Sequence, residues 1–596
     1  MSAKVKAMIG RRQRAGRRQR REWHELPVPL QVAALVRMRE GLRAHNLHDT
    51  WEAGGERPRT PSPERPRYRS YDGSGCDPAD LDMGRAGTRF DRNAPLDMTH
   101  PEPLDRLMSP SPREVANRLL TRNEFIPAPS LNMLAAAWIQ FQNHGWFSHG
   151  DNHLAEPFEV PVADGDTWHE CPMRVRRSRP DPTAHTAPGA PPTYENIVTH
   201  WWDGSQIYGS SEKRCRSLRT GEDGMMAVQD GRLREETEPG LAGIDLTGFS
   251  DNYWVGLALM HTLFVKEHNA ICGMLREAYP SWDDERLFQT ARLVNAAVMA
   301  KIHTVEWTPG LLATPALRLV MNVNWSGLVG PRFRRRFGRL GRGEVLSGIL
   351  GSPADHHGAQ FSMTEEFVTS YRLHPLIRDD YPIRSHQDGR PITTEELVPL
   401  QGQHTRAAVE RYGMPDLFYS FGVMNPGALT LHNHPTAMRD LMRINGERID
   451  VGTLDVLRDR ERGVPRYNDF RRMLRKPPIT EFAQLTDKAV WAREIEEVYD
   501  GDLERVDATV GLLAEPKPSG FGLSDTAFRI FVLMASRRLK SDPFFTDLYT
   551  PETYTPEGLD WIDRTGMTEV LLRHHPELAP ALSGVRNAFS PWRGLA

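Results

Sequence analysis

The chain has 596 residues, 39% hydrophobic and 26% charged, with 75 lysines and arginines against 78 aspartates and glutamates for a formal net charge of −3. That is the composition of a folded protein without the global positive field that drives nonspecific nucleic-acid binding, so no nucleic-acid partner is expected. The four cysteines, Cys76, Cys171, Cys215 and Cys272, are widely spaced with no C-x-x-C pair, which argues against a disulfide scaffold, a zinc ribbon and an iron–sulfur ferredoxin.

The N-terminus departs from the average. Lys4, Lys6, Arg11, Arg12, Arg14, Arg17, Arg18, Arg20 and Arg21 all precede the first acid, Glu22, and the apolar run from Leu26 to Val36 contains two prolines and Gln31. A cleaved secretory signal would need a continuous apolar stretch there. Residues 1–25 are therefore expected to be a basic, flexible arm in front of a catalytic domain spanning 26–596. One reading of the arm is a disordered, solvated tail. The other is a peripheral membrane contact, in which each arginine contributes about 1 kcal/mol against anionic headgroups and Leu26, Leu30, Ala33, Ala34, Leu35 and Val36 lie in the interface. A nucleic-acid arm ranks third. No segment approaches the roughly 20 apolar residues that span a bilayer.

From Thr50 to Arg113 the chain is rich in Pro, Gly, Arg and Asp, and a second such stretch runs from Pro180 to Pro192. Both predict wrapping segments without a core of their own. Apolar residues at three- and four-residue spacing predict helices over Asn132–Phe147, Tyr253–Arg276, Asp284–Trp307, Thr364–Leu373 and Ser524–Leu539. Period-two alternation is nearly absent. Length alone would suggest three to four domains at about 150 residues each, but no repeat and no polar linker divides the helical part. One large, mainly α domain with long wrapping loops, acting as a monomer, is expected.

Two weak constellations lie on these helices. Gln140 and His144 are four apart and share a face among Trp138, Phe141, Trp146 and Phe147. A lone histidine there is more often a satisfied core group. Tyr371 and His374 are three apart, so one helix face would present a phenol and a metal-ligating imidazole together; taken alone, Tyr371 reads as a core tyrosine. In the last long helix Phe531, Ala535 and Arg538 form a stripe that is apolar until it ends in a guanidinium. That placement suits a carboxylate met from inside a hydrophobic channel. Arg537 instead reads as a cap on the helix C-terminus.

Gln140-x-x-x-His144, Lys266-Glu-His-Asn269 and Tyr371-Arg-Leu-His374-Pro resemble the animal haem peroxidase and cyclooxygenase superfamily. Trp201-Trp-Asp-Gly-Ser-Gln-Ile-Tyr-Gly209, Lys301-Ile-His-Thr-Val-Glu-Trp-Thr308, Arg458-Asp-Arg-Glu-Arg-Gly-Val-Pro-Arg-Tyr-Asn468 and Ala535-Ser-Arg-Arg-Leu539 are more particular and resemble the fatty-acid α-dioxygenases best known from plants. The likeness runs from about Leu26 to Trp592 and implies a cyclooxygenase-like helical fold around one noncovalent haem b. It makes His374 the proximal iron ligand, His144 the distal histidine with Gln140 beside it, and Tyr371 the radical that attacks substrate. His303, Thr308 and Arg538 are then the carboxylate contacts.

The implied reaction takes a long-chain fatty acid and O2, after activation by a hydroperoxide, to the 2-hydroperoxy acid. The competing readings are a haem peroxidase of small donors and a haem-free, membrane-associated binding protein. Asn433, between His432 and His434, is the candidate hydrogen-bond partner of the proximal imidazole, while the two flanking histidines read as an exposed loop or a metal site. Glu267 matches a residue that bonds haem covalently in mammalian peroxidases, but the dioxygenase-like strings imply noncovalent haem. The family's calcium loop resembles Thr199, the Trp201 carbonyl, Asp203 and Ser205, completed by an Asp directly after the distal histidine. Here that position is Gly145, so calcium is expected to be weak or absent. The sparse, unpaired cysteines contrast with the secreted members of the superfamily and imply an intracellular protein, cytoplasmic or peripheral to a membrane.

Overall fold

A computed structural model describes residues 21–595, apart from 54–58, 63, 65, 154, 183–188, 239, 342 and 444–445. The predicted helices form close to their expected bounds. In chain order, the helices that build the site are α1 (Val28–Arg43), α2 (Met133–Asn143), α3 (Val255–Ala278), α4 (Asp284–Ile302), α5 (Pro315–Ser326), α6 (Gly330–Phe337), α7 (Glu365–Ser370), α8 (Val451–Glu461) and α9 (Asp525–Ser541). Local chemistry sets several starts: Asp283, Thr364 and Ser524 each accept a hydrogen bond from a first-turn backbone N–H of α4, α7 and α9 respectively, relieving donors that the helix itself cannot satisfy.

Helix α3 packs against both α2 and α4 at the centre. The run Val255–Val265 of α3 is buried on every face, as a helix inside a large core must be. One hydrophobic cluster runs from Trp23 to Trp592, with a small satellite around Trp168 and Leu457. A single core, rather than the three or four that length suggested, is what the structure shows. The strands of the described residues form only two-stranded antiparallel pairs; the longest joins Asp380–Arg384 to Pro391–Glu396, with Tyr381 opposite Glu395 and Ile383 opposite Thr393.

The Pro/Gly-rich segment wraps as expected and is held by buried polar contacts. Arg69 pairs with Asp542 at 2.8 Å, Arg92 with Glu366 at 2.8 Å, and the Trp201 indole N–H donates to the carbonyls of Gly73 and Met83. Such pairs fix where the segment lies more than they stabilise it, because desolvating both charges offsets most of their attraction.

Two N-terminal expectations need correction. The folded body begins before residue 26: Trp23 is buried, stacks on Phe528 at 5.2 Å and donates its indole N–H to Asp525 at 2.7 Å. Residues 1–20, which carry most of the basic run, lie outside the described residues. The apolar run Leu26–Val36 forms the first half of α1, which packs on α5 and α9 with Leu35 buried. Only Leu30 and Ala33 of that set face outward. No helix among the described residues is long and apolar enough to cross a membrane.

Candidate functional site

Between α5, α7, α9 and the C-terminal end of α4 lies a cavity of about 390 Å³ lined by Tyr371, Arg538, His303 and Thr308 with Trp146, Trp202 and Phe367. His303 and Thr308 meet there because α4 does not stop at Ile302. It continues into a π-helical turn, His303–Trp307, in which the Thr308 N–H bonds the His303 carbonyl. Closing the ring from i to i+5 brings residues five apart to one side, which a regular α-helix would not do. Nothing in hydrophobic spacing signals that turn.

Arg538 is the defining group. It is 2% exposed, and no ion pair reaches it among the described residues. Its Nη2 makes only 3.4 Å contacts to the carbonyls of His200 and Trp201, while Nε and Nη1 are buried without a partner. The faces of Trp146 and Trp202, 4.4 and 5.0 Å away, supply partial compensation. Burial lowers its pKa to about 9, against the opposing influence of Tyr371, Asp203 and Asp542. An uncompensated buried cation is costly unless an anion completes it.

The neighbouring donors point to the same conclusion. Trp138 donates its indole N–H to His303 Nδ1 at 3.2 Å. Burial, reinforced by Arg538, holds the His303 pKa well below its ordinary value. The ring is therefore neutral with its proton on Nε2, a donor. The Thr308 hydroxyl is buried without a partner. Tyr371 stacks on Phe367 at 4.1 Å, meets Trp146 edge-on at 5.9 Å, and has its pKa raised by burial despite Arg538. The cavity thus combines a neutral phenol with three unspent hydrogen-bond donors. The expected stripe on α9 holds: Ala535 lines this cavity and also the larger outer one that Phe531 lines, and Arg538 sits at the inner end. Arg537 does not cap its own helix; it donates to the carbonyls of His356, Ala359 and Gln360 and so anchors that loop.

Tyr371 and His374 do not share a helix face. α7 ends at Ser370, Tyr371 is its C-terminal cap, and His374 opens a separate 3-10 turn. Pro375 disfavours helical backbone at the residue before it. The break lets the phenol enter the cavity while the imidazole turns to α8. There His374 Nδ1 meets Asp455 Oδ2 at 2.8 Å, and His434 Nε2 lies 3.4 Å from the same oxygen. These three residues form the potential metal-holding group among the described residues. Burial by itself would push the Asp455 carboxyl up, but His374, His434 and Arg372 together hold it well below the usual carboxylate range. One turn further on, Asp459 accepts hydrogen bonds from Thr369, Arg372 and Thr509. Two carboxylates of α8 thereby grip the turn from Thr369 to His374.

Asp455 takes the place expected of Asn433. The Asn433 carboxamide is fully spent elsewhere, accepting from Arg122 Nε and the Ile126 N–H and donating to the carbonyls of Ile126 and Ala428, so it joins its loop to the 122–126 segment. His432 and His434 are buried rather than exposed; His432 pairs with Glu494 at 2.9 Å. Asp455 was open to sequence reasoning only as an acid inside the apolar run Val451-Gly-Thr-Leu-Asp-Val-Leu457, and no spacing rule links it to His374.

His144 caps α2, with its N–H on the Gln140 carbonyl at 3.1 Å. It is buried against Phe249, its Nδ1 has no partner, and desolvation lowers its pKa to about 4. Gln140 lies on the same face, but its amide is engaged: Oε1 accepts from the Trp254 indole at 2.7 Å and Nε2 donates to the Asn252 carbonyl. Asn143 donates to the Tyr371 carbonyl at 3.4 Å, tying the end of α2 to the residue whose phenol enters the cavity.

The donor set fits a haem: a histidine whose Nδ1 is held by a carboxylate, leaving Nε2 for iron, and a neutral buried histidine with an orphaned nitrogen. Glu267 is committed elsewhere, accepting from Trp561, Arg573 and His574. The calcium loop does not fit its ion. A Cβ at Gly145 would lie 2.1 Å from Gln206 Oε1, so the buried Gln206 carboxamide occupies the space an acid would need. Asp203 accepts from the Thr199 hydroxyl and the Ser205 N–H and faces the buried Arg292 guanidinium at 3.6 Å. The Ser205 hydroxyl donates to the Gly145 carbonyl, and the Trp201 carbonyl is turned to Arg538. A resident side-chain cation already answers the one carboxylate.

A single mainly helical core that holds one histidine paired with a buried carboxylate and a second, buried neutral histidine is the arrangement a haem peroxidase needs, and the model of the animal haem peroxidase family matches residues 68–587. The rice alpha-dioxygenase PIOX is 38% identical, the match covering 96% of this chain and 93% of the relative, and Arabidopsis thaliana alpha-dioxygenase 2 is 39% identical over 96% and 91%. The crystal structure of a variant Oryza sativa fatty acid alpha-dioxygenase with palmitic acid superposes with a TM-score of 0.88 at 36% identity, covering 96% of this chain and 94% of that one. The chain belongs to the alpha-dioxygenases of the animal haem peroxidase family.

Proposed function

We propose that the protein oxygenates long-chain fatty acids at carbon 2. The observation that carries this reading is the buried, unpaired Arg538 beside Tyr371 in a cavity that shares Met321, Asn324, Ala535 and Ser536 with a larger apolar one. The acid's carboxylate completes Arg538, with His303 Nε2–H and the Thr308 hydroxyl as further donors. Its chain follows Ala535 and Phe531 outward. Anchoring the headgroup presents the first methylene to Tyr371, so regiochemistry follows from geometry. His374 would hold a haem, noncovalently in keeping with the committed Glu267, and the group would supply the one-electron oxidation that a hydroperoxide initiates. His144, neutral at physiological pH, accepts the hydroperoxide proton. The Tyr371 radical takes a hydrogen atom from carbon 2, O2 adds to the carbon radical, and the peroxyl takes a hydrogen atom back from the Tyr371 hydroxyl. The product is the 2-hydroperoxy acid, and the radical is restored.

Oxygen-electrode measurement with palmitate, followed by mass analysis, is expected to show uptake and a 2-hydroperoxide or its shortened aldehyde. No uptake across saturated and unsaturated acids would refute the assignment. Methyl palmitate, which has no charge for Arg538, is expected to be a poor substrate.

Two further outcomes test the supporting residues. Asp455→Asn weakens the hydrogen bond that holds His374, and is expected to lower haem affinity or turnover by about 10–100-fold and to raise the haem reduction potential; an unchanged potential would remove Asp455 from this positioning role. Because the Arg292 guanidinium already faces Asp203, dialysis against a calcium chelator is expected to leave the melting temperature and oxygen uptake unchanged. A fall in either on chelation would show a bound ion.

A further inference from the structure

The outer cavity has an unusual rim. Its empty space is about 920 Å³, it shares Met321, Asn324, Ala535 and Ser536 with the Tyr371 cavity, and it opens to solvent between α1, α5 and the segment after it. Large apolar side chains at a solvent opening are ordinarily few. Here Leu319, Leu328 and Val345 line the mouth and are themselves exposed, Leu328 by 59%. Phe337, 64% exposed, Leu340 and Leu346 extend the apolar surface beyond the mouth, and Leu30 adds to it from α1.

The charge of this region differs from that of the whole chain. Residues 315–351 contain seven arginines and one acid, Glu344. That acid is already paired with Arg39 at 3.7 Å and Lys540 at 3.5 Å. Arg318 and Arg336 are exposed. Arg336 lies against the ring of its neighbour Phe337, 5.6 Å away, and Phe333 and Phe337 contact each other one turn apart on α6 at 4.8 Å. A short helix with aromatic residues among arginines, beside exposed leucines and valine, has the two elements that hold a protein at a lipid surface: apolar insertion and cationic attraction.

We propose that this rim, formed by Leu319, Leu328, Arg336, Phe337, Leu340 and Leu346, docks on an anionic bilayer and sets the cavity mouth against the lipid from which the substrate enters. Charge selects the occupant. A soluble anionic protein would satisfy the arginines but leave Phe337, Leu340 and Leu346 without an apolar counterpart, whereas headgroups and acyl chains answer both at the depth each requires. The surface belongs to the folded body and is built from residues other than those of the basic N-terminal run. The proposal rests on the fatty-acid reading only for the purpose of docking, and vesicle binding can be measured without turnover.

The test uses the full-length holoprotein and sedimentation with vesicles of phosphatidylcholine alone or phosphatidylcholine with phosphatidylserine. Binding is expected with phosphatidylserine, is weaker on neutral vesicles, and falls with added salt. Phe337→Glu and Leu346→Glu, at exposed positions outside the cavity lining, are expected to abolish binding. Arg336→Glu is expected to weaken it by at least about five-fold, the factor for one basic residue at an anionic surface. All three are expected to retain oxygen uptake on detergent-dispersed palmitate and to lose it on palmitate held in vesicles. Retained uptake on dispersed acid shows that the fold and the chemistry survive, so a loss confined to vesicles reports docking; failure on dispersed acid in the unaltered protein would instead count against the function. The proposal is overturned if the rim variants still sediment while deletion of residues 1–20 abolishes binding. It is equally overturned if no vesicles bind, or if the unaltered protein self-associates in lipid-free solution and the same substitutions dissolve that dimer.

Discussion

Tyr371→Phe is expected to reduce fatty-acid-dependent oxygen uptake to background while the haem Soret band remains. The phenol is the group in the cavity able to carry a hydrogen atom to and from carbon, and phenylalanine has no O–H bond of comparable weakness. The substitution is also conservative for packing. The ring that stacks on Phe367 at 4.1 Å is retained, and the hydroxyl raises its pKa through burial alone, with no hydrogen-bond partner contributing. Removing it strands no donor, so stability should change by less than about 1 kcal/mol. Loss of activity would therefore report chemistry and not unfolding. Oxidation of small phenolic donors by peroxide does not pass through carbon 2, and that activity is expected to survive. If oxygen uptake with palmitate also survives, the chain is a peroxidase whose tyrosine is structural, and the proposed reaction is wrong.

Much of the fold was legible because it rests on periodicity. The burial of α3 and α4 and the stripe Phe531, Ala535, Arg538 follow from three- and four-residue spacing, and the wrapping of residues 60–113 follows from a composition that offers arginines and carboxylates but no core. What could not be read were the places where the backbone leaves regular geometry or where chemistry crosses the chain. The π-turn at His303–Trp307 is one inserted residue in an otherwise helical pattern. The break between Ser370 and His374 was signalled by Pro375, yet the i, i+3 spacing was given more weight, and it placed the tyrosine and the ligand on one face. Asp455 lies 81 residues from His374, and only the fold joins them. Asn433 adjoins two histidines in sequence, but the fold commits its carboxamide to Arg122, Ile126 and Ala428. Resemblance brought Arg538 into view, but its significance lies in what it lacks.

That lack makes Arg538→Met the more discriminating substitution. Without ligand, the guanidinium is buried, leaves Nε and Nη1 unpaired, and has its pKa depressed to about 9. It is therefore a source of instability in the free protein, and an unbranched apolar side chain of similar length is expected to stabilise the ligand-free fold by about 1–3 kcal/mol, the range seen when buried charges give way to well-packed apolar groups. The same change removes a bidentate, charge-assisted contact to the carboxylate and is expected to lower kcat/KM by about 10²- to 10³-fold. Palmitate should raise the melting temperature of the unaltered protein and leave that of the variant unmoved. The pH dependence has a definite sign. A cation whose folded pKa is depressed is charged below that value and neutral above it, so carboxylate anchoring should be present at neutral pH and fade as pH rises through about 9, appearing first as a rise in KM. Binding of the anion favours the charged form and moves this limb upward at saturating acid. If Arg538→Met instead destabilises the free protein and spares KM, the arginine is a structural brace, and the carboxylate must be held elsewhere.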